Sequence, residues 1–151
     1  MANSQAICTS FKQEILCGIH AIGTTVVRAG TTKDTIKAAL YLASASLGAG
    51  TTAYSGTGEV SGANYSAGGA TVTNANEPAT AAGIAYWTPS ASVSWSNVTL
   101  GTAFDAVLFY NSTQSDKAIA VFTFGSQTVT SGNFSLTMPT NDETTGLIRL
   151  N

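Results

Sequence analysis

Apolar residues recur every third or fourth position near the start of the chain and every second position in much of the remainder. The first pattern predicts a helix from Ser4 to about Ile19, with Ser4 as its N-cap and with Gly18 and Gly23 marking its end. The apolar stripe of this helix consists of Ile7, Phe11, Ile15, Leu16 and Ile19. A helix with one such stripe packs either on its own domain, which we favour, or on a partner chain.

After Gly23 the pattern changes to the alternation that is typical of β-strands. It predicts strands at residues 24–28, 35–42, 70–74, 84–88, 92–100, 104–110, 117–124, 126–130 and 133–138. The alanines of residues 35–42 leave a helix as the alternative there. The polar residues 111–116 join two strongly apolar strands and predict a hairpin, while Gly125, Ser131 and Gly132 predict turns. Short strands at this spacing indicate an antiparallel β-sandwich or jelly-roll.

Two segments interrupt the strand pattern. The glycine-rich residues 43–69 predict a long loop that contains a short strand near residues 58–61. Residues 139–151 form a C-terminal extension, and its apolar stretch 146–150 predicts a last strand. This strand either closes the protein's own sheet or adds to the edge of a neighbour's sheet. We therefore expect a single β-sandwich domain over residues 1–151, with a helical segment at 1–23 and the extension at 139–151.

The chain carries very little charge. Only 9% of its 151 residues are charged, six of them basic and eight acidic, against about 25% in ordinary globular proteins. So few basic residues argue against binding of nucleic acid through its phosphates, and no apolar run approaches the ~20 residues of a membrane-spanning helix. Between Lys37 and Asp105 only Glu59 and Glu77 are charged. We interpret this neutral half as contact surface, because neighbours can pack on it without leaving charges unpaired.

No group of residues predicts a reaction. His20 is the single histidine, and we interpret it as a polar residue at the end of the helix. Cys8 and Cys17 would lie about 13 Å apart along one helix, too far for a disulfide, so we expect free thiols. Among the scattered acidic residues, Glu59 and Asp105 are the pair that a glycosidase would most readily use. We predict that the protein is not an enzyme and that it has no catalytic, cofactor-binding or metal-binding residues.

Aromatic side chains offer the alternative of a carbohydrate site. The candidates are Tyr54, Tyr65, Tyr86, Trp87 and Trp95. Most aromatic residues of a small β domain belong to its core. The adjacent Tyr86 and Trp87, however, must point to opposite faces of their strand, so we expect one of these two to point outward.

Several runs of small residues resemble a family of small structural proteins of tailed bacteriophages and prophages. The runs lie at residues 35–41, 51–54, 58–62, 65–69 and 71–73, and later at 104–113, 117–125 and 134–139. The resemblance covers most of residues 31–139. It implies a β-rich component of the virion, and the family supplies no catalytic residues.

Among virion roles, the resemblance favours a capsid decoration (cement) protein. Such a protein would bind the major capsid protein, form dimers or trimers with itself, and have no nucleic acid or membrane as partner. It would be made in the cytoplasm of the host bacterium and would reside in the virion. The alternatives are a tail, neck or fibre component, or a carbohydrate- or receptor-binding module.

Overall fold

The computed structural model describes residues 2–16, 18–24 and 32–151, and this part of the chain is mainly β. Its elements are β1 (Ala6–Ile7), α1 (Thr9–Leu16), β2 (Ile36–Leu42), β3 (Ala70–Thr71), β4 (Ala79–Ala81), β5 (Ile84–Trp87), β6 (Val93–Asn111), β7 (Lys117–Leu136) and β8 (Ile148–Leu150). They form two antiparallel sheets, ordered β1-β7-β6-β2-β3 and β4-β5-β8. The predicted fold class, antiparallel β with one N-terminal helix, is confirmed.

One long hairpin dominates the larger sheet. Strands β6 and β7 have 19 and 20 residues and pair from Asn111–Lys117 at the turn to Val93–Leu136 at the far end. The predicted hairpin is therefore confirmed, but the prediction of five separate strands within it is wrong. Shifts of register let the two strands continue through the positions that we had predicted as breaks. These shifts are β-bulges or similar irregularities, which a pair of strands accommodates where the sequence pattern suggests a turn.

The N-terminal helix is shorter than predicted, with eight residues. Its predicted first turn instead forms the edge strand β1, whose Ala6 and Ile7 pair with β7. Ser4 does not cap the helix, because the helix begins five residues later at Thr9; the backbone N–H of Ser4 instead donates to the carbonyl of Leu47. The predicted end at Gly18 is correct. This glycine has φ 65°, and its N–H and that of Ile19 donate to the last carbonyls of the helix, as in a Schellman motif.

The core lies on both faces of the larger sheet. Directly opposed residues of antiparallel strands share a face. One face carries Leu40, Val107 and Phe122, and the other carries Ala39, Leu108 and Val121. The loop 43–69 covers the second face, where Tyr54 stacks on Tyr110 with ring centroids 4.7 Å apart. The smaller sheet contributes Trp87 and Ile148 to the same core.

The remaining predicted elements have mixed outcomes. Strands β2 and β5 are confirmed, whereas β3 is shorter than predicted and the short strand β4 was not predicted. Residues 58–61 form no regular strand, since Glu59 makes only an isolated bridge to Tyr41. The predicted strand 24–28 falls almost entirely on residues outside the described part of the chain. The C-terminal strand β8 pairs with β5, so it closes the protein's own smaller sheet.

Candidate functional site

A network of tyrosines surrounds the carboxylate of Glu59 beneath the long loop. Tyr54 donates to one carboxylate oxygen at 2.6 Å, and Tyr65 and the backbone N–H of Gly68 each donate to the other at 2.8 Å. Tyr110 donates to the carbonyl of Gly68 at 2.8 Å. The negative charge of Glu59 is therefore directed into the protein and satisfied there, which leaves little charge on the outer surface of the loop.

Burial is the main cause of raised pKa values in this network. It raises the pKa of Tyr110 to about 12, and likewise that of the neighbouring Tyr41, whose hydroxyl donates to the carbonyl of Ser55. Burial and the neighbouring Glu59 carboxylate together raise the pKa values of Tyr54 and Tyr65 still further. These hydroxyls stay protonated at neutral pH, so the network serves as hydrogen-bonding structure and offers no general base among its phenols.

A second buried polar network joins α1 to the turn of the hairpin. Glu14 accepts from Lys117 Nζ at 2.6 Å and from His20 Nε2 at 2.9 Å. The other ring nitrogen of His20, Nδ1, lies 3.0 Å from the side-chain amide nitrogen of Asn111, so the imidazole links Glu14 to Asn111. Burial raises the pKa of Glu14, but the hydrogen bonds from Lys117 and His20 outweigh it and hold the pKa below its usual value.

Asn111 extends this network to the start of β2. It is fully buried and donates to Asp34 at 2.7 Å, while its carbonyl oxygen accepts the backbone N–H groups of Thr113 and Gln114. The amide oxygen thus holds the hairpin turn, while the amide nitrogen links the turn to Asp34 and His20. We had interpreted His20 as a polar residue at the helix end, but its side chain is only 1% exposed. We interpret the Glu14 network as structural support for the turn.

The far half of the hairpin contains no charged residue. We call residues 93–103 of β6 and 124–136 of β7 the neutral arm. The pairs with β2 begin at Phe104, and those with β1 involve only Val121 and Ala120. The arm strands therefore pair with each other and, through Thr99, with Ala63 of the loop. Among the described residues, no strand pairs with the outer edge of β7 along the arm.

An aromatic cluster stabilises one face of the neutral arm. Trp95 lies 5.9 Å from Phe134, and Phe134 lies 5.0 Å from Phe104 and 5.4 Å from Phe124, between ring centroids. Tyr65 stacks on the other side of Trp95 at 6.5 Å. Phe124 and Phe134 are only partly buried, so the cluster gives the arm a rigid and partly apolar surface.

A groove of about 540 Å³ separates the edges of the two sheets. We call it the edge groove. One side is formed by Gln5 and by Ala6 and Ile7 of β1, and the other by residues 144–147, Arg149 and Asn151. Ile84 of β5, Phe122 of β7 and Pro139 complete the lining. Because Arg149 lines this groove while Ile148 and Leu150 line another pocket, the groove meets one face of the smaller sheet on this side and the edge strand β1 on the other.

The residues singled out from the sequence lie in separate places. Trp87 and Trp95 are 3% and 6% exposed, so neither indole offers an open surface to a sugar. Tyr86 is more exposed than Trp87, as alternation predicts. Glu59 and Asp105 belong to different networks, since Asp105 accepts from the side chain of Asn3 at 2.7 Å.

One of the two cysteines lies among the described residues. Cys8 is a buried free thiol, and burial raises its pKa to about 11. Cys17 lies outside the described residues. Within residues 2–16, 18–24 and 32–151, no three His, Cys, Asp or Glu side chains are grouped as metal ligands would be. In the same part of the chain, no helix has the length and apolarity required to span a membrane.

Sequence reasoning identified the neutral half of the chain but missed the two surfaces described above. The signal for the arm was present, because no charge occurs between Val93 and Phe104 or between Ala118 and Asn141. The edge groove had no comparable signal, since it depends on strand pairings between distant segments. No protein-family model, no curated protein and no solved structure matches the chain.

Proposed function

We propose that this protein is a structural component of a tailed-phage virion and that it acts as a capsid decoration protein. The resemblance of its small-residue runs to such proteins motivates the proposal, and the neutral arm carries it. Monomeric proteins protect long strand edges with charges, bulges or covering segments. The arm of this chain has bulges but no charge, so its open edge is suited to permanent contact with another protein.

The chemistry of the arm surface fits a large, repeated interface. Its outward side chains are mostly Ser, Thr, Asn, Gln and Gly, which form hydrogen bonds without the desolvation cost of a buried ion. Partly buried Phe124 and Phe134 add apolar area. A partner such as the major capsid protein, or another copy of this chain in a dimer or trimer, would cover the edge and pair with it.

Copy number in purified virions tests the proposed location. A decoration protein is expected at a number comparable with that of the major capsid protein, measured by quantitative mass spectrometry. Tens of copies or fewer would instead support the alternative of a tail, neck or fibre component. Absence from washed particles would refute a role as a virion component altogether.

A charge on the arm edge tests the proposed surface. Thr128→Lys introduces a cation at an exposed arm position, and Thr57→Lys does the same in the exposed loop as a control. We expect both variants to fold with unchanged melting temperature, and only Thr128→Lys to lose particle occupancy. Equal occupancy of the two variants would show that the arm is not the contact. Deleting residues 146–151 is a poorer test, because it removes β8 and damages the fold as well.

A further inference from the structure

Strand β1 presents main-chain groups to the edge groove. Cys8 donates its N–H to the carbonyl of Ile119 at 3.0 Å, so these two residues form a hydrogen-bonded pair. By the alternation of antiparallel ladders, Ile7 opposite Ala120 is a non-hydrogen-bonded pair, and the N–H and C=O of Ile7 point away from β7. On its other side the groove meets side chains of the β8 segment, since Leu147 and Arg149 line it whereas Ile148 and Leu150 do not.

The dimensions of the groove fit a short strand. A strand residue occupies roughly 3.3 Å along the chain, 4.8 Å between strands and 10 Å between sheets. A volume of about 540 Å³ therefore takes about three to four residues of extended chain. Ile7, Phe122 and Leu147 line it with apolar side chains, which gives alternate side chains of an inserted strand an apolar surface to contact.

Arg149 gives the groove a charge preference. It is the only charged residue in the lining, and its guanidinium donates to the main-chain oxygens of Glu143 and Thr144. Across the described residues, the ion pairs involve Glu14 and none involves Arg149. A guanidinium held in place by carbonyls and without a carboxylate is complementary to an acidic ligand.

The same charge disfavours a second copy of this chain in the groove. An antiparallel pair of β8 strands centred on Arg149 would place two guanidinium groups directly opposite each other, which is destabilising. The open strand edge of the neutral arm, if it were inserted from another copy, would bring no carboxylate. The chemistry of the groove therefore favours a different chain.

We propose that the edge groove binds an extended, acidic segment of a partner protein by strand addition. The segment lies beside β1, forms main-chain hydrogen bonds with the outer edge of that strand at Ile7, and places one carboxylate on Arg149. This binding site is separate from the neutral arm, so the proposal does not depend on the location of the protein in a virion.

A peptide titration followed by NMR tests the proposal on the full chain. The probe is the acetylated, amidated pentapeptide Thr-Val-Glu-Val-Thr at millimolar concentration. The control is the same peptide with Gln in place of Glu. We expect amide shifts at Ile7 and Arg149, with the Gln peptide binding about two- to five-fold more weakly. Arg149→Gln should remove this difference, whereas Lys12→Gln, an exposed cation on α1, should retain it.

Methylation of the peptide backbone tests the strand geometry. A strand paired along one edge uses alternate N–H groups, so N-methylation of one alternate set should weaken binding about ten-fold and that of the other set far less. Equal effects of the two sets, equal affinity for the Glu and Gln peptides, or shifts confined to residues 124–136 would overturn the proposal. Self-association of the protein that the peptide abolishes would assign the groove to a second copy instead.

Discussion

The hydroxyl of Tyr65 joins the Glu59 carboxylate to the backbone of β2 in the larger sheet. It donates to Glu59 at 2.8 Å and accepts the N–H of Leu40 at 3.0 Å. One phenol thus connects the long loop to β2 through the single acidic side chain of that loop. A segment rich in glycine and serine has little apolar area with which to hold its position, and this network supplies the specific contacts.

Replacing Glu59 should loosen the loop. Glu59→Ala removes the acceptor for two hydroxyls and one backbone N–H, and we expect a loss of about 2–3 kcal/mol in the free energy of unfolding. Glu59→Gln retains one acceptor oxygen and should lose about half as much. Urea denaturation measures both, with Glu143→Ala as the control. A loss below about 0.5 kcal/mol for Glu59→Ala would show that the network does not hold the loop.

The tyrosine network also predicts the response to alkali. In the unfolded chain a tyrosine ionises near pH 10, whereas the pKa values of folded Tyr41 and Tyr110 are about 12. A raised pKa stabilises the fold fully below pH 10, and this contribution is lost as the pH rises from 10 to 12. Tyrosinate absorbance should therefore rise together with the loss of circular dichroism. Ionisation of these residues well before unfolding would contradict the network.

The close approach of Gly69 to β2 predicts a large effect of one methyl group. A Cβ on Gly69 would lie 1.9 Å from the carbonyl oxygen of Ala38, and the φ of Gly69 is +70°. We expect Gly69→Ala to destabilise the protein by more than about 2 kcal/mol. Gly125 has no heavy atom within 4 Å of such a Cβ, so Gly125→Ala should change stability by less than about 0.5 kcal/mol. Equal melting temperatures would refute the close contact.

The sequence predicted local elements well where one pattern decided them. Six of the seven residues of strand β2 are apolar, the exception being Lys37, and the hairpin turn at 111–116 has polar residues between two apolar runs. Both followed from period and composition alone. The C-terminal strand was also predicted, but its partner was not, because pairing with β5 depends on contacts across about sixty residues of sequence.

The predictions from the sequence are wrong most clearly at glycines. Gly125 and Gly132 suggest turns, yet β7 continues through both. A β-bulge and a turn require similar residues, so the sequence alone does not distinguish them. Ile7 shows the same limitation at the other end of the chain. Ile7 fits the apolar stripe of a helix, but in the structure it is a strand residue that pairs with β7.

The Glu14 network predicts a loss of stability in acid. Its hydrogen bonds hold the pKa of Glu14 below the usual 4.5, so the contribution is complete above pH 4.5 and is lost as the pH falls through the lowered pKa. Glu14→Gln should reduce the free energy of unfolding at pH 7 by about 1–3 kcal/mol and flatten its dependence on pH below 4.5. Thermal melts from pH 7 to pH 3 measure this. If Glu14→Gln leaves the dependence of stability on pH unchanged, the ionisation of Glu14 is not linked to folding.

Asp142 organises the turn that precedes the edge groove. Its carboxylate oxygen accepts the N–H of Thr145 at 2.6 Å, that of Thr144 at 2.9 Å and the hydroxyls of both residues. The backbone bond from Thr145 is the largest cause that lowers the pKa of Asp142 to about 2. This turn also positions Arg149, because the guanidinium of Arg149 donates to the carbonyl of Thr144.

Protonation of Asp142 should therefore release β8 before the larger sheet unfolds. The usual pKa is 3.8, so the stabilisation is complete above pH 3.8 and is lost towards pH 2. Asp142→Ala should produce the same loosening at neutral pH, while Asp142→Asn, which keeps an acceptor oxygen, should largely prevent it. NMR signals of Ile148–Leu150 measure the release, and those of β6 serve as the internal reference. Because β8 forms one side of the edge groove, Asp142→Ala should also weaken binding of the acidic pentapeptide. Rigid β8 signals in Asp142→Ala would show that pairing with β5 alone holds the strand.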